Sequence, residues 1–163
     1  MKPTDLVALL QEFYRERLAM VERHKAVAAQ VRDYNANNAY QYVINREDVH
    51  LTWLQDAIAE FGGAIPDAPP HPPLAIGSGP HAWRSLAGDD AREAEAFVAR
   101  WRARVEGLTH ARNRTMLRLT LGEVQEQARF FAQAAEARAD LLGKNLDGSP
   151  TRGFVASSRW LGD

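Results

Sequence analysis

Hydrophobic positions recur every three or four residues along most of this chain, and that period predicts four helices. In the first, which opens behind Pro3 with Thr4 as its N-cap, Leu6, Leu9, Phe13, Met20, Val27 and Val31 form one stripe, broken only by Glu16. The polar run at 33–38, DYNANN, reads as a tight connection. A second helix carries Tyr40, Ile44, Glu47, Leu51, Leu54, Ile58 and Phe61 on one face, and Gly62-Gly63 stops it as a left-handed cap. The third runs from about Asp89 to Glu106, capped by Asp89 or Asp90, with Ala94, Phe97, Trp101, Val105 and Leu108 inward. The fourth starts at Thr109 or Arg112 and ends at Leu142 before Gly143, with Leu117, Leu121, Val124, Ala128, Phe131 and Ala135 inward. No stretch alternates with period two for long enough to argue for a sheet.

Between the second and third helices lies GGAIPDAPPHPPLAIGSGP, residues 62–80, which holds six of the eight prolines. No regular element survives that density of proline and glycine. Pro80 opens a short turn that ends near Gly88. Neither flank is large enough to bury a core alone, so residues 62–88 read as an ordered crossover on the surface of one domain. A helix of 25 residues is about 38 Å long, and an extended segment of the crossover's size can travel back along it. The expected fold is therefore all-α: a four-helix bundle over residues 1–142, built as two antiparallel hairpins joined by the Pro-rich crossover. A C-terminal tail, 143–163, follows. It is polar except for Phe154-Val155 and Trp160-Leu161, which pack on the bundle or dock on a partner or second subunit.

Composition narrows the function classes. The 20 Lys+Arg residues balance 21 Asp+Glu, for a formal charge of −1, which argues against a generic polyanion binder or an acidic solvating tail. The absence of cysteine excludes a disulfide framework, a thiolate metal site and a cysteine nucleophile. No apolar run approaches the roughly 18–20 residues that span a bilayer, and MKPTDLVALLQEFYRER lacks signal-peptide architecture, so a soluble cytoplasmic protein is expected. Arg100, Arg102, Arg104, Arg112, Arg114 and Arg118 crowd the junction of helices three and four with only Glu106 among acids. Such a run is more often a solvated face than a nucleic-acid site. No Gly-rich phosphate loop, GxSxG elbow or Cys/His zinc pattern occurs.

Inward acids are the feature that calls for chemistry, because an unpaired buried carboxylate costs several kcal/mol. Glu16 lies three after Phe13 and four before Met20; Glu47 lies three after Ile44 and four before Leu51. His50 is one turn beyond Glu47 on the same face, where both reach one ion. A bound cation removes the burial penalty, and oxygen ligands with one imidazole suit iron or manganese better than zinc. The alternative is protein cations, with Arg129 or Arg118 bridged to Glu16 or Glu47. His24, His71 and His81 read as surface or packing residues, and Tyr14, Tyr34, Tyr40 and Tyr42 as aromatic packing.

The run Glu47-x2-His50-x3-Leu54-x3-Ile58-x2-Phe61-Gly62-Gly63-x2-Pro66 resembles the second helix of ferritin-like di-iron carboxylate proteins such as bacterioferritin and rubrerythrin. Glu16, 31 residues before Glu47, falls where that family keeps its first-helix glutamate. The family's site takes a Glu from each of two helices and Glu-x-x-His from each of the other two. The resemblance implies Glu93 (or Asp90) and the pair Glu123 and Glu126 as the second half. Glu93 and Glu123 are 30 residues apart, but Glu126 stands where a second histidine belongs, and His110 is a spare imidazole near a helix end. The implied site is two iron ions, alternatively manganese, on Glu16, Glu47, His50, Glu93, Glu123 and Glu126, used for ferrous oxidation or oxygen and peroxide chemistry. The competing expectation is a non-catalytic ferritin-fold assembly or interaction subunit with a degenerate site, oligomeric through its helix faces or tail.

Overall fold

The computed structural model describes residues 3–68, 74, 79, 81–138 and 141. They form four helices, α1 (Pro3–Ala28), α2 (Tyr34–Glu60), α3 (Trp83–Glu106) and α4 (Ala111–Ala135), with no strand among the described residues. Residues 143–163, with Phe154, Val155, Trp160 and Leu161, lie outside the described residues, as do His71, Gly143 and much of the expected crossover.

Local chemistry sets the helix ends. Asp33 accepts a hydrogen bond from the Ala36 amide at 2.9 Å and so caps α2. The polar run 34–38 is thus the first turn of a helix rather than a connection, with Asn37 Nδ2 donating back to the carbonyls of Ala28 and Val31. At the other end Gly62 takes φ +72°, its amide donates to Ala59 O, and Gly63 donates to Ile58 O. This is the paired closure expected of the Gly-Gly stop. Helix α1 begins at Pro3, so Thr4 is inside it. Helix α3 begins at Trp83, not near Asp89: Trp83, Leu86 and Ala87 extend the buried face backwards, and Asp89 and Asp90 sit mid-helix. Helix α4 stops at Ala135, well before Leu142. Ala137 adopts φ +65° and the bonds Ala137 N to Ala134 O and Arg138 N to Gln133 O repeat the closure at Gly62, with alanine in glycine's place.

The buried faces follow a seven-residue repeat. On α1 it runs through Leu6, Phe13, Met20 and Val27, and in parallel through Leu10, Arg17 and His24, with the buried Val31 continuing the spacing beyond the helix end. A repeat of seven keeps the same stripe facing its neighbours, as bundle packing requires. Contacts then fix directions. Tyr14 meets Gln55 and His24 meets Glu47, so α1 and α2 are antiparallel. Phe61 meets His110 and Arg46 meets Glu123, which makes α2 and α4 antiparallel. Glu12 meets Arg104 and Arg23 meets Asp90, so α1 and α3 are antiparallel too. Gly88 approaches Ala135 while Arg118 pairs with Glu106, closing the α3–α4 hairpin. The end of α2 and the start of α3 therefore lie at opposite ends of the bundle.

Two apolar layers fill the interior. One centres on Phe13, Leu54, Phe97, Trp101 and Leu117, with the Phe13 ring edge-on to Phe97 at 5.0 Å and to Trp101 at 4.8 Å. The other gathers Val27, Tyr40, Ile44, Trp83, Leu86 and Phe131. Along α2 the buried residues between the two layers are Glu47 and His50, and α1 brings the buried Arg17 and His24 to Glu47.

Candidate functional site

Glu47, on α2, is fully excluded from water, and both its carboxylate oxygens are taken. Arg17 Nη2 donates to Oε1 at 2.8 Å, and His24 Nδ1 lies 2.9 Å from Oε2. An ionised carboxylate only accepts, so His24 presents its proton on Nδ1. Arg17 is itself fully buried: Nη1 donates to Met20 Sδ at 3.3 Å and the guanidinium lies over the Phe97 ring, 5.5 Å from its centroid. Burial pushes the Glu47 carboxyl up, but the charges and hydrogen bonds of His24 and Arg17 outweigh it and hold the group below the usual carboxylate range. The layer thus keeps a negative oxygen pair and a positive guanidinium in contact away from water.

A second polar group adjoins it. Asp90, also fully buried, accepts from Tyr40 Oη at 2.6 Å and from Arg23 Nε at 2.5 Å. Burial, and then the Asp90 charge, drive the Tyr40 hydroxyl far above its ordinary range, so it stays a donor. Phe131 closes the group, with its ring 4.9 Å from Tyr40 and 4.7 Å from His24.

The third group faces α4. His50 Nε2 approaches Glu123 Oε2 to 3.2 Å without the alignment of a hydrogen bond, and neither ring nitrogen has a hydrogen-bond partner among the described residues. Burial lowers the His50 imidazole below its ordinary value, and the Glu123 carboxylate only partly restores it. Arg46 grips Glu123 with Nε on Oε2 at 3.0 Å and with Nη2 on Oε1. Burial raises the Glu123 carboxyl, yet the Arg46 bond and the neighbouring His50 bring it below the usual range. One turn along α4, Gln127 is buried, and neither amide atom has a hydrogen-bond partner among the described residues.

The six residues proposed from sequence do not converge. Glu47 and His50 share the buried face of α2 as the periodicity predicts. Glu16 does not point into the bundle: its side chain is 32% exposed and accepts from Arg100 at 2.9 Å. The inward position belongs to Arg17, one residue on, because the buried series passes through Leu10 and not Leu9. Glu93 is exposed and shares Arg100, while Glu126 is exposed and pairs with Arg129. Glu123 is half-buried, and His110 serves as the cap of α4, its Nδ1 accepting from the Asn113 amide at 3.4 Å. Asp90, the alternative to Glu93, is inward but satisfied by Tyr40 and Arg23. Among the described residues no three His, Asp or Glu side chains are grouped to hold a metal ion. The donors around Glu47 do not fit one either, since a guanidinium occupies the position a cation would take. Neither Arg129 nor Arg118 supplies that charge, the latter being paired with Glu106.

The family-level comparisons decide nothing further. No protein-family model, no curated protein and no solved structure matches the chain. The arginine-rich junction is not a bare basic face, because other helices bring acids to it: Arg100 meets Glu16 and Glu93, Arg104 meets Glu12, and Arg112 meets Glu60. No described helix is long and apolar enough to cross a membrane. Sequence reasoning missed Arg17, His24 and Gln127 as buried polar residues. Each is signalled by the seven-residue repeat: seven on from Leu10 is Arg17, seven more is His24, and Gln127 lies seven beyond Thr120.

Proposed function

We propose that this chain is a metal-independent bundle of ferritin-like, hairpin–crossover–hairpin topology that serves as a non-catalytic assembly or interaction subunit. The observation that carries the reading is the closed set Arg17–Glu47–His24, in which protein groups neutralise the most deeply buried carboxylate of α2. An oxidoreductase of the carboxylate-bridged kind needs ligands free to hold ions and an open coordination position. Here Glu47 is already satisfied, and Glu16, Glu93 and Glu126 are committed to surface arginines. One observation favours a second reading, in which iron or manganese binds through His50 and Glu123: these two stand 3.2 Å apart and His50 has no hydrogen bond.

Metal analysis of protein purified without chelators separates the two. The first reading expects substoichiometric metal and a melting temperature indifferent to EDTA, Fe(II) and Mn(II). Stoichiometric iron or manganese retained through gel filtration, and lost in His50→Leu protein of unchanged helicity, would overturn it. Sedimentation velocity over a range of concentrations tests the assembly role directly, with reversible association as the expected result.

A further inference from the structure

We propose that the run Arg159-Trp160-Leu161-Gly162-Asp163 of this chain docks into the groove between α3 and α4, with Trp160 on its apolar floor. The groove holds about 580 Å³. Its floor is made of small apolar residues, Val98 and Ala99 on α3 and Ala128 on α4, which leave room for one large side chain from outside. The α3 wall carries Glu95 and Arg102, both exposed. Neither has an ion-pair partner among the described residues, and Arg102 makes one long hydrogen bond, at 3.5 Å, to Gln125. Their charged neighbours are matched: Glu93 with Arg100, Arg104 with Glu12, and Glu126 with Arg129. Along α3 the groove therefore offers an acid, an apolar floor and a base, in that order.

Order, direction and reach select the occupant. Trp160-Leu161 is an apolar pair with a base before it, Arg159, and an acid after it, Asp163. The other apolar positions of the tail lack one part: Phe154-Val155 has no acid before the next base, and Leu146, between Lys144 and Asp147, is a single leucine. Leu141 is buried in the layer that holds Trp83, Leu86 and Ala91, towards the start of α3. A chain leaving that layer along the groove meets Glu95 first, then Val98, then Arg102, which matches Arg159, Trp160 and Asp163 read in the same direction. From Leu141 to Arg159 is 18 residues, up to about 60 Å of chain, whereas Ala91 to Glu95 is about 6 Å of helix. Glu95 and Arg102 stand about 10 Å apart along α3, and the four residues from Arg159 to Asp163 span up to about 13 Å. Burial of the indole supplies most of the attraction; exposed ion pairs add little and set the register. The tether keeps the segment at about millimolar effective concentration, so weak docking is enough to fill the groove.

The chain has no cysteine, so an introduced pair reports docking directly. Ala99→Cys on the groove floor is combined with Leu161→Cys in the full chain. The control combines Leu161→Cys with Thr52→Cys, exposed on α2. Under mild oxidation of dilute protein, the disulfide between positions 99 and 161 should form within one chain, about tenfold faster than that between 52 and 161. Trp160→Ala should bring it down to the control rate. Glu95→Lys should slow it about threefold or more. Glu95→Lys/Arg159→Glu should restore it, which a general loss of stability would not allow. If Glu95→Lys changes the helicity, Arg102→Glu with Asp163→Lys makes the same reversal at the other end of the groove. Equal rates at positions 99 and 52, a disulfide formed only between chains, or charge reversal without restoration overturns the proposal.

Discussion

Replacing Arg17 by methionine removes the guanidinium and keeps a long apolar stem in the core. In the native protein that guanidinium bonds Glu47 Oε1 at 2.8 Å, and both side chains are essentially excluded from water. The variant leaves Glu47 with His24 as its remaining partner. Breaking a buried ion pair from one side costs about 3–5 kcal/mol, because the other charge stays desolvated. That is a large share of the roughly 5–15 kcal/mol that holds a domain folded, and for a chain of this size it lowers the melting temperature by about 6–20 °C. The double variant Arg17→Met/Glu47→Leu removes both charges, and should recover to native stability or exceed it by about 1–4 kcal/mol. Acid unfolding supplies a second reading of the same pair. Glu47 is held below its ordinary value of 4.5, so its stabilisation is complete above that pH and is lost as pH falls through the folded value. In Arg17→Met the burial that raises the carboxyl is less opposed, and the acid limb moves to higher pH. Thermal and urea unfolding across pH 2–8 measure all three proteins. A neutral Arg17→Met, or a double variant less stable than either single one, would refute the ion-pair account.

Three further outcomes follow from single positions. Ala137→Gly should stabilise by about 1 kcal/mol in thermal unfolding, since Ala137 holds φ +65°, where a side chain is strained by about 1–2 kcal/mol. Gly63→Ala should cost about 1–3 kcal/mol in urea unfolding, because its Cβ would meet Val7 Cγ1 at 2.7 Å and Ile58 Cγ2 at 2.8 Å. His50 is held below its ordinary value of 6.5, so the unfolded chain takes up the proton first and stability falls as pH drops below about 6.5. The slope of stability between pH 7 and 5 should therefore be shallower in His50→Leu than in the native protein.

Periodicity and turn chemistry carried the four helices, the Gly62-Gly63 stop and the inward faces of α2 and α4, because each depends on residues close in sequence. The phase of α1 was the decisive ambiguity. Leu9 and Leu10 are both apolar, and a stripe drawn with spacings of three or four accepts either. Drawn through Leu9 it arrives at Glu16; drawn through Leu10 it arrives at Arg17 and then His24, which is the buried series. One residue is about 100° of helix, enough to exchange a carboxylate for a guanidinium at the core. The same holds on α4, where Glu123 and Glu126 flank the inward Gln127. The early start of α3 and the early end of α4 escaped for a different reason: the first depends on Trp83 and Leu86 packing against other helices, and the second on an alanine that adopts a glycine conformation.

An inward carboxylate on a bundle helix demands a cation, and the motif around Glu47 is silent about which kind. A metal ion and a guanidinium both neutralise it, and both leave the same Glu-x-x-His spacing and the same apolar stripe on α2. What distinguishes them sits on α1, in whether its inward repeat delivers another acid or a base at the facing level. Arg17 and His24, one heptad and so two turns apart on that helix, reach the two oxygens of Glu47. Once they do, a ligand at Glu47 must displace two protein bonds and share the interior with a fixed positive charge. The identity of residue 17 therefore weighs more in the functional reading than the motif at 47–50, although only the motif resembles anything.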